Sequence, residues 1–302
     1  EVADGIVLTG TNEAGAVTTV ASAAVTQVDA THWSYAVGSA FLGPLGEGTK
    51  SIAVVSTDAA GNVATTSKSI SIDKTAPVYQ SIALDSKGGT APGTITLTFD
   101  SPLDGANLPA KADFQVSLNG ATVAAADILG LTASGSSLVI SFKAGIIQQG
   151  NVALQFAYND ATVGDGAAAL QDIAGNDVAS FSVNQIVIAD GYIRGAQIYI
   201  DTNGDGIAQE SEKLVGVVTN DQGQAFLPST APKGPIIAVG GVNVDTGVPN
   251  TTPLKAPAGA TAVNPLTTLV QTVVEQVKTS GGTLTAEAAA TQVAQTLGLT
   301  AE

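Results

Sequence analysis

The chain has 302 residues, enough for several domains, with 11 Lys and Arg against 26 Asp and Glu and a net charge of −15. That charge repels nucleic acid and anionic membranes and favours divalent cations as partners. Only 12 % of residues are charged and the mean hydropathy is +0.29, which excludes intrinsic disorder.

Cysteine and methionine are both absent. No disulfide framework, zinc thiolate site or thiol nucleophile is available, and the lack of oxidisable sulfur suits an oxidising, extracellular setting. A chain without methionine is expected to be a processed form or an excised piece. No run of 18 apolar residues predicts a membrane span.

Residues 1–74 read as short strands with a period of two: Trp33 to Val37, Ser51 to Val54 and Ser69 to Ile72. Between the last two, Asp58, Gly61 and Asn62 have the chemistry of a tight hairpin. About 75 residues of this kind predict a small antiparallel sandwich. The stretches Thr9 to Ala16 and Ser56 to Val63, with the Trp33 strand, resemble the bacterial Ig-like repeats of giant surface adhesins. Asp73 to Pro77 is a short, stiff joint because proline fixes its own φ and extends its predecessor. The resemblance implies that Asp58 and Asp73 share a junction calcium, while a solvated acidic joint reads the same residues equally well.

Residues 75–189 give a second all-β module. Thr94 to Phe99, Phe114 to Leu118, Leu138 to Phe142 and Val152 to Phe156 alternate as strands, and Asn119-Gly120 is a turn pair. Asp172, Ala174, Gly175 and Asn176 repeat the spacing of Asp58, Ala60, Gly61 and Asn62, so one hairpin device is used twice. The segments Phe99 to Leu103, Ala112 to Val116, Phe156 to Asp160 and Leu170 to Asp177 resemble the SwmB-type repeat of bacterial cell-surface proteins. Asp160, Asp165, Asp172 and Asp177 are dense enough to raise a second ion site, but their spacing fits no loop template, and solvated turns are the competing reading.

Residues 190–258 contain the one segment whose chemistry follows from spacing. Asp201, Asn203, Asp205 and Gln209 stand at positions 1, 3, 5 and 9 of a twelve-residue loop, with Gly206 at 6 and Glu212 at 12. Calcium takes six to eight oxygens, so alternate side chains must turn inward on one point. Asp201, Asn203, Asp205 and Glu212 supply side-chain oxygens, Ile207 its carbonyl, and Gln209 a direct or water-mediated contact. Tyr192 to Ile200 enters this loop as a strand and Val215 to Thr219 leaves it as one, unlike the helix-flanked loops of calcium sensors. The order of strand, calcium loop, strand and Asp221-containing hairpin resembles the B-type domain of staphylococcal serine-aspartate adhesins and is similar to a module of large RTX-type adhesins. That resemblance implies a structural ion.

Pro249 to Pro257 connects to a helical tail, 259–302. Asn264 is a good N-cap and Pro265 a good first residue for a helix carrying Leu266, Leu269, Val270, Val273, Val274 and Val277. Thr285 caps a second. The apolar face of the first is too wide to stand in water and must pack on the β modules or on another chain.

Catalysis has little to stand on. The sole histidine, His32, lies beside Trp33 in a strand, no Gly-x-Ser-x-Gly elbow occurs, and one Trp, five Tyr and seven Phe leave few aromatics to line a sugar groove. The sequence thus predicts a mainly β, non-enzymatic, calcium-stabilised rod: tandem antiparallel sandwiches with a C-terminal helical pair, serving as a stalk or adhesion module on a bacterial surface, of the biofilm type. A self-assembling extracellular filament or surface-layer subunit is the alternative, and a calcium-dependent glycan- or peptide-binding module a further one. Partners are calcium, neighbouring modules or copies of the chain, and surface glycans or proteins.

Overall fold

The computed structural model describes every residue except 1–4, 12–16, 21–25, 28–32, 35–42, 58–59, 148–152, 162–167 and 300–302, with backbone alone at 5–11, 17–20, 26–27, 33 and 89. The chain is mainly β, built from several antiparallel sheets and two C-terminal helices. It divides into two compact units, Glu1–Ala76 and Pro77–Glu302.

In the first unit, β1 (Gly5–Thr11), β2 (Val17–Val20), β5 (Gly48–Thr57) and β6 (Val63–Ile72) form one sheet in the order β2-β1-β5-β6. A separate pair is made by β3 (Thr26–Gln27) and β4 (Trp33–Ser34). The strands β5 and β6 pair antiparallel along their whole length, from Gly48 opposite Ile72 to Thr57 opposite Val63. That register brings the end of β5 and the start of β6 directly opposite each other. Leu45, Ile52 and Ile72 are buried together there. Asp58, Asp165 and His32 lie outside the described residues.

The second unit opens as a sandwich. Its first sheet, in the order β11-β12-β8-β7, uses β7 (Tyr79–Asp85), β8 (Thr94–Phe99), β11 (Ile128–Ser134) and β12 (Ser137–Phe142). The facing sheet contains β9 (Phe114–Leu118), β10 (Ala121–Thr122), β13 (Leu154–Tyr158) and β14 (Phe181–Ile188). Ile95, Leu97 and Phe99 alternate inward on β8, as Leu138, Ile140 and Phe142 do on β12, and they meet Phe114, Val116, Phe156 and Tyr158 from the other sheet. The period of two read from the sequence is therefore the core itself. Asn119 (φ 52°) and Gly120 (φ 79°) join β9 to β10 with Leu118 opposite Ala121, the two positive φ values of a two-residue hairpin.

Beyond residue 189 lie β15 (Ile193–Arg194), β16 (Gln197–Ile200), β17 (Lys213–Val218), β18 (Gln224–Pro228), β19 (Ile236–Val239), β20 (Val242–Asn243), β21 (Leu254–Ala256) and β22 (Ala262–Val263). A sheet of order β17-β16-β19-β21 carries the loop at 201–212. The larger sheet does not stop at residue 189: β18 pairs antiparallel with β14, and β22 runs parallel to it. Val183 of β14 belongs to the sandwich core, whereas Ile186 and Ile188 belong to a second core with Ile198, Ile200, Ile236 and Val263. One strand thus serves both cores.

The tail forms α1 (Pro265–Thr279) and α2 (Ala286–Thr296). Asn264 caps the first by accepting from the Thr267 N–H at 2.9 Å, and Thr285 caps the second by accepting from Ala288 at 3.2 Å. The helix α1 lies on β21: the Lys255 N–H donates to Thr268 Oγ1 at 2.8 Å, and Thr267 Oγ1 donates to the Lys255 carbonyl at 2.8 Å. Its fully buried residue is Gln271, while Leu266 and Leu269 stay about half exposed. Polar seating on the sheet takes precedence over the apolar stripe. Among the described residues no helix is long and apolar enough to cross a membrane.

Candidate calcium site

The loop begins where β16 ends and closes where β17 begins. These strands pair antiparallel, with Gln197 opposite Val218 and Tyr199 opposite Lys213, so both ends of the loop are held by one ladder. At the entry the Asp201 N–H donates to the Pro235 carbonyl at 2.9 Å. At the exit a short 3-10 turn, Glu210–Glu212, folds the chain back so that position 12 reaches position 2.

The loop's side-chain oxygens accept from its own N–H groups. Asp201 is 1 % exposed; its Oδ1 accepts from the N–H groups of Gly204 (2.6 Å) and Asp205 (3.2 Å), and its Oδ2 from Gly206 (2.9 Å). Asn203 Oδ1 accepts from the Asp205 N–H at 2.8 Å. Asp205 Oδ1 accepts from Ile207 at 2.8 Å, and its Oδ2 from Gln209 Nε2 at 2.6 Å and Asn203 Nδ2 at 3.1 Å. Glu212 Oε1 accepts from the Thr202 N–H (2.8 Å), Thr202 Oγ1 (3.0 Å) and the Asn203 N–H (3.4 Å). Gly204 and Gly206 sit at φ 72° and 76°, the left-handed region a side chain resists. Ile207 exposes its side chain, which leaves its carbonyl as the group it can offer.

One oxygen breaks the pattern. Glu212 is 6 % exposed, yet its Oε2 is buried with no hydrogen-bond partner. A buried carboxylate oxygen without a partner is costly, and native proteins seldom leave one. The donor types suit a hard cation: Asp201 Oδ2, Asn203 Oδ1 and Asp205 Oδ1 accept one bond each and keep a lone pair, and Glu212 Oε2 keeps its full capacity. Asp201 Oδ1, Asp205 Oδ2 and Glu212 Oε1, by contrast, are filled. Among the described residues no three His, Asp or Glu side chains are gathered around one point. The structure thus does not bring Asp201, Asp205 and Glu212 to one point, and the loop's donors are of the chemical types calcium takes: carboxylates, an amide and a carbonyl. Just outside, Lys213 pairs with Glu210 at 3.0 Å, and that carboxylate raises the lysine's pKa.

The other acidic residues sit differently. Asp172 is buried and spends both oxygens on its own turn, accepting from Ala174 N–H (2.8 Å), Asn176 N–H (3.0 Å) and Asn176 Nδ2 (2.9 Å). Asp73 is exposed and accepts from the Thr75 N–H at 3.1 Å. Asp160 and Asp177 lie near Tyr158, whose pKa is pushed up to about 12, chiefly by burial and then by the charges of Asp160, Asp113 and Asp177.

Three further residues at the loop escape a reading by spacing. Lys278 of α1 donates from Nζ to the carbonyls of Gly204 (2.8 Å) and Asn203 (3.3 Å). Glu275 and Lys255 form an ion pair at 2.7 Å beside Gly206. They stand 43 or more positions along the chain from Glu212, and no local pattern announces them.

No family model matches the chain, and no curated protein matches it. Among solved structures, a 1.5-MDa bacterial ice-binding adhesin, described in connection with host cell surface retention, aligns over 87 % of each chain at 12 % identity and a TM-score of 0.27. The major pilin subunit of Bacillus cereus, BcpA, aligns over 86 % of this chain and 93 % of its own at 13 % identity and a TM-score of 0.17. Likeness at these scores decides neither fold nor function.

Proposed function

We propose that the chain is a non-enzymatic, calcium-stabilised extracellular module of a bacterial cell-surface adhesin, acting as stalk or adhesion segment. The observation that supports it most is the buried, unpartnered Oε2 of Glu212 at position 12 of a loop whose position 1, Asp201, is equally enclosed. Asp201, Asn203, Asp205, Glu212, the Ile207 carbonyl and Gln209 would hold the ion, which supplies positive charge to a loop of acidic oxygens and thereby ties the ends of β16 and β17 together. Tying strand ends is a mechanical role and needs no substrate. An ion bound only by the folded state adds RT ln(1+[L]/Kd), about 2.7 kcal/mol at a hundredfold excess over Kd. Sites of extracellular type, with Kd on the order of 10⁻⁴–10⁻³ M, would fill outside the cell and empty inside it. Thermal melts in excess calcium and in chelator test the reading; superimposed curves refute it. A junction ion at Asp58 and Asp73, or one among Asp160, Asp165, Asp172 and Asp177, would raise the calcium stoichiometry above one.

The filament reading draws on a different observation. A groove of about 520 Å³ runs between β7 and β17 and contains no charged side chain. Both strands end their sheets, so each offers an unpaired edge. Val215 and Val218 of β17 are exposed beside it. In a chain of net charge −15, a neutral edge groove is where another copy meets least repulsion. Negative-stain images decide: single short particles support the stalk module, long regular polymers the filament.

A further inference from the structure

We propose that α1 is the outer wall of the calcium site, so that ion binding and docking of this helix are one coupled equilibrium. The inference rests on the calcium reading above and extends it to Lys278, Glu275 and Lys255, which no loop template contains.

The contacts run along the outside of the loop. Lys278 Nζ bonds the carbonyls of Asn203 and Gly204, which belong to positions 3 and 4 and carry the backbone between two ligand side chains. At Gly206 an added Cβ would fall 2.6 Å from Glu275 Oε2 and 2.8 Å from Lys255 Nζ, and at Gly204 one would fall 2.1 Å from Lys278 Nζ. These two glycines are held by the left-handed turn, and the side-chain ends of Lys278 and Glu275 from α1 and of Lys255 from β21 lie directly against them. Glu275 and Lys255 pair at 2.7 Å with each side chain only 18 % exposed, and Glu275 Oε1 accepts from Gln271 Nε2 at 3.1 Å, Gln271 being 3 % exposed. The first turn of α1 is fixed to β21 through Thr267 and Thr268, so its last turns reach the loop at a set height.

Two consequences follow. A loop ordered by its ion presents fixed carbonyls to Lys278, and a docked helix in turn holds the loop near its ligating shape. Coupling of this kind is reciprocal: whatever factor calcium adds to docking, docking adds to calcium affinity. The sign of the lysine effect discriminates. An ammonium beside a dication site repels the ion, so if Lys278 acted through charge alone its removal would tighten binding. If it positions the backbone, its removal weakens binding despite the relieved repulsion.

The test uses the whole chain, with calcium titrated calorimetrically into the wild type, Lys278→Met and Lys278→Arg, and with hydrogen exchange followed along 265–279 with and without calcium. Lys278 is exposed, so both variants should fold. The expected result is a three- to tenfold weaker Kd for the methionine variant, about what one hydrogen bond contributes, recovery with arginine, and slower exchange in α1 when calcium is present. Unchanged or tighter binding by the methionine variant, or exchange in α1 indifferent to calcium, overturns the inference and leaves the calcium site standing. A wild type that takes up no calcium removes both.

Discussion

Replacing Glu212 by Gln separates the metal role of this side chain from its structural one. Glu212 Oε1 serves three donors while Oε2 is buried without a partner. The glutamine keeps an acceptor for those donors but weakens them by losing the charge; it also removes an uncompensated buried charge. Charged hydrogen bonds are worth roughly 1.5–3 kcal/mol and an unsatisfied buried group costs about 1–3 kcal/mol, so the two effects oppose and leave the calcium-free variant within about 1 kcal/mol of wild type. With calcium at a hundredfold excess over Kd the wild type gains about 2.7 kcal/mol that the variant forgoes. For a unit the size of Pro77–Glu302 this corresponds to a Tm difference of about 5–10 °C in calcium and a much smaller one in chelator. Differential scanning calorimetry of both proteins under both conditions reads this difference of differences. A variant destabilised equally with and without calcium would refute the reasoning, because Glu212 would then be an ordinary buried polar residue.

Other perturbations probe the rest of the molecule. Asp172→Ala removes three hydrogen bonds to a buried carboxylate and should cost about 2–3 kcal/mol in chemical denaturation, whereas Asp73→Ala, at an exposed site, should stay within about 0.5 kcal/mol of wild type; equal losses would show that the Asp172 turn is not the stabilising device described. Tyr158 has its pKa raised from 10.0 to about 12, so its contribution is whole below pH 10 and is lost as pH rises through the folded value. Phenolate absorbance should therefore lag behind that of a free tyrosine and rise together with unfolding of the sandwich. Ile188→Ala, at a fully buried position of β14, should cost about 2–5 kcal/mol and speed hydrogen exchange in both the Ile198 and the Phe156 neighbourhoods; loosening confined to residues beyond 189 would mean that β14 does not join the two cores.

The fold class was legible because alternation is a local signal. Thr94 to Phe99 and Ser137 to Phe142 each place every second residue in the core, and the sequence states that period directly. The hairpin at Asn119-Gly120 and the caps at Asn264 and Thr285 were equally plain, since each is fixed by chemistry within four residues. What escaped were long-range pairings. Nothing in Phe181–Ile188 says that its second half takes Gln224–Pro228 as antiparallel partner and Ala262–Val263 as parallel one. The apolar stripe of the tail foretold that α1 packs on a β module, and Val270, Val273, Val274 and Val277 are partly buried, but not that Leu266 and Leu269 stay half exposed while Thr267 and Thr268 bind the backbone of β21. At the candidate site the loop's position between β16 and β17 was readable, since strands flank it on both sides. Its outer neighbours were not, because Lys255 of β21 and Glu275 and Lys278 of α1 reach it only through tertiary packing.

The most direct test is a calorimetric titration of the chelator-stripped chain with calcium, repeated with Asp201→Ala. The account predicts saturable uptake by the wild type, with the 201–212 site binding on the order of 10⁻⁴–10⁻³ M, and loss of that site in the variant. Absence of binding in the wild type, or uptake that survives Asp201→Ala unchanged, would contradict it.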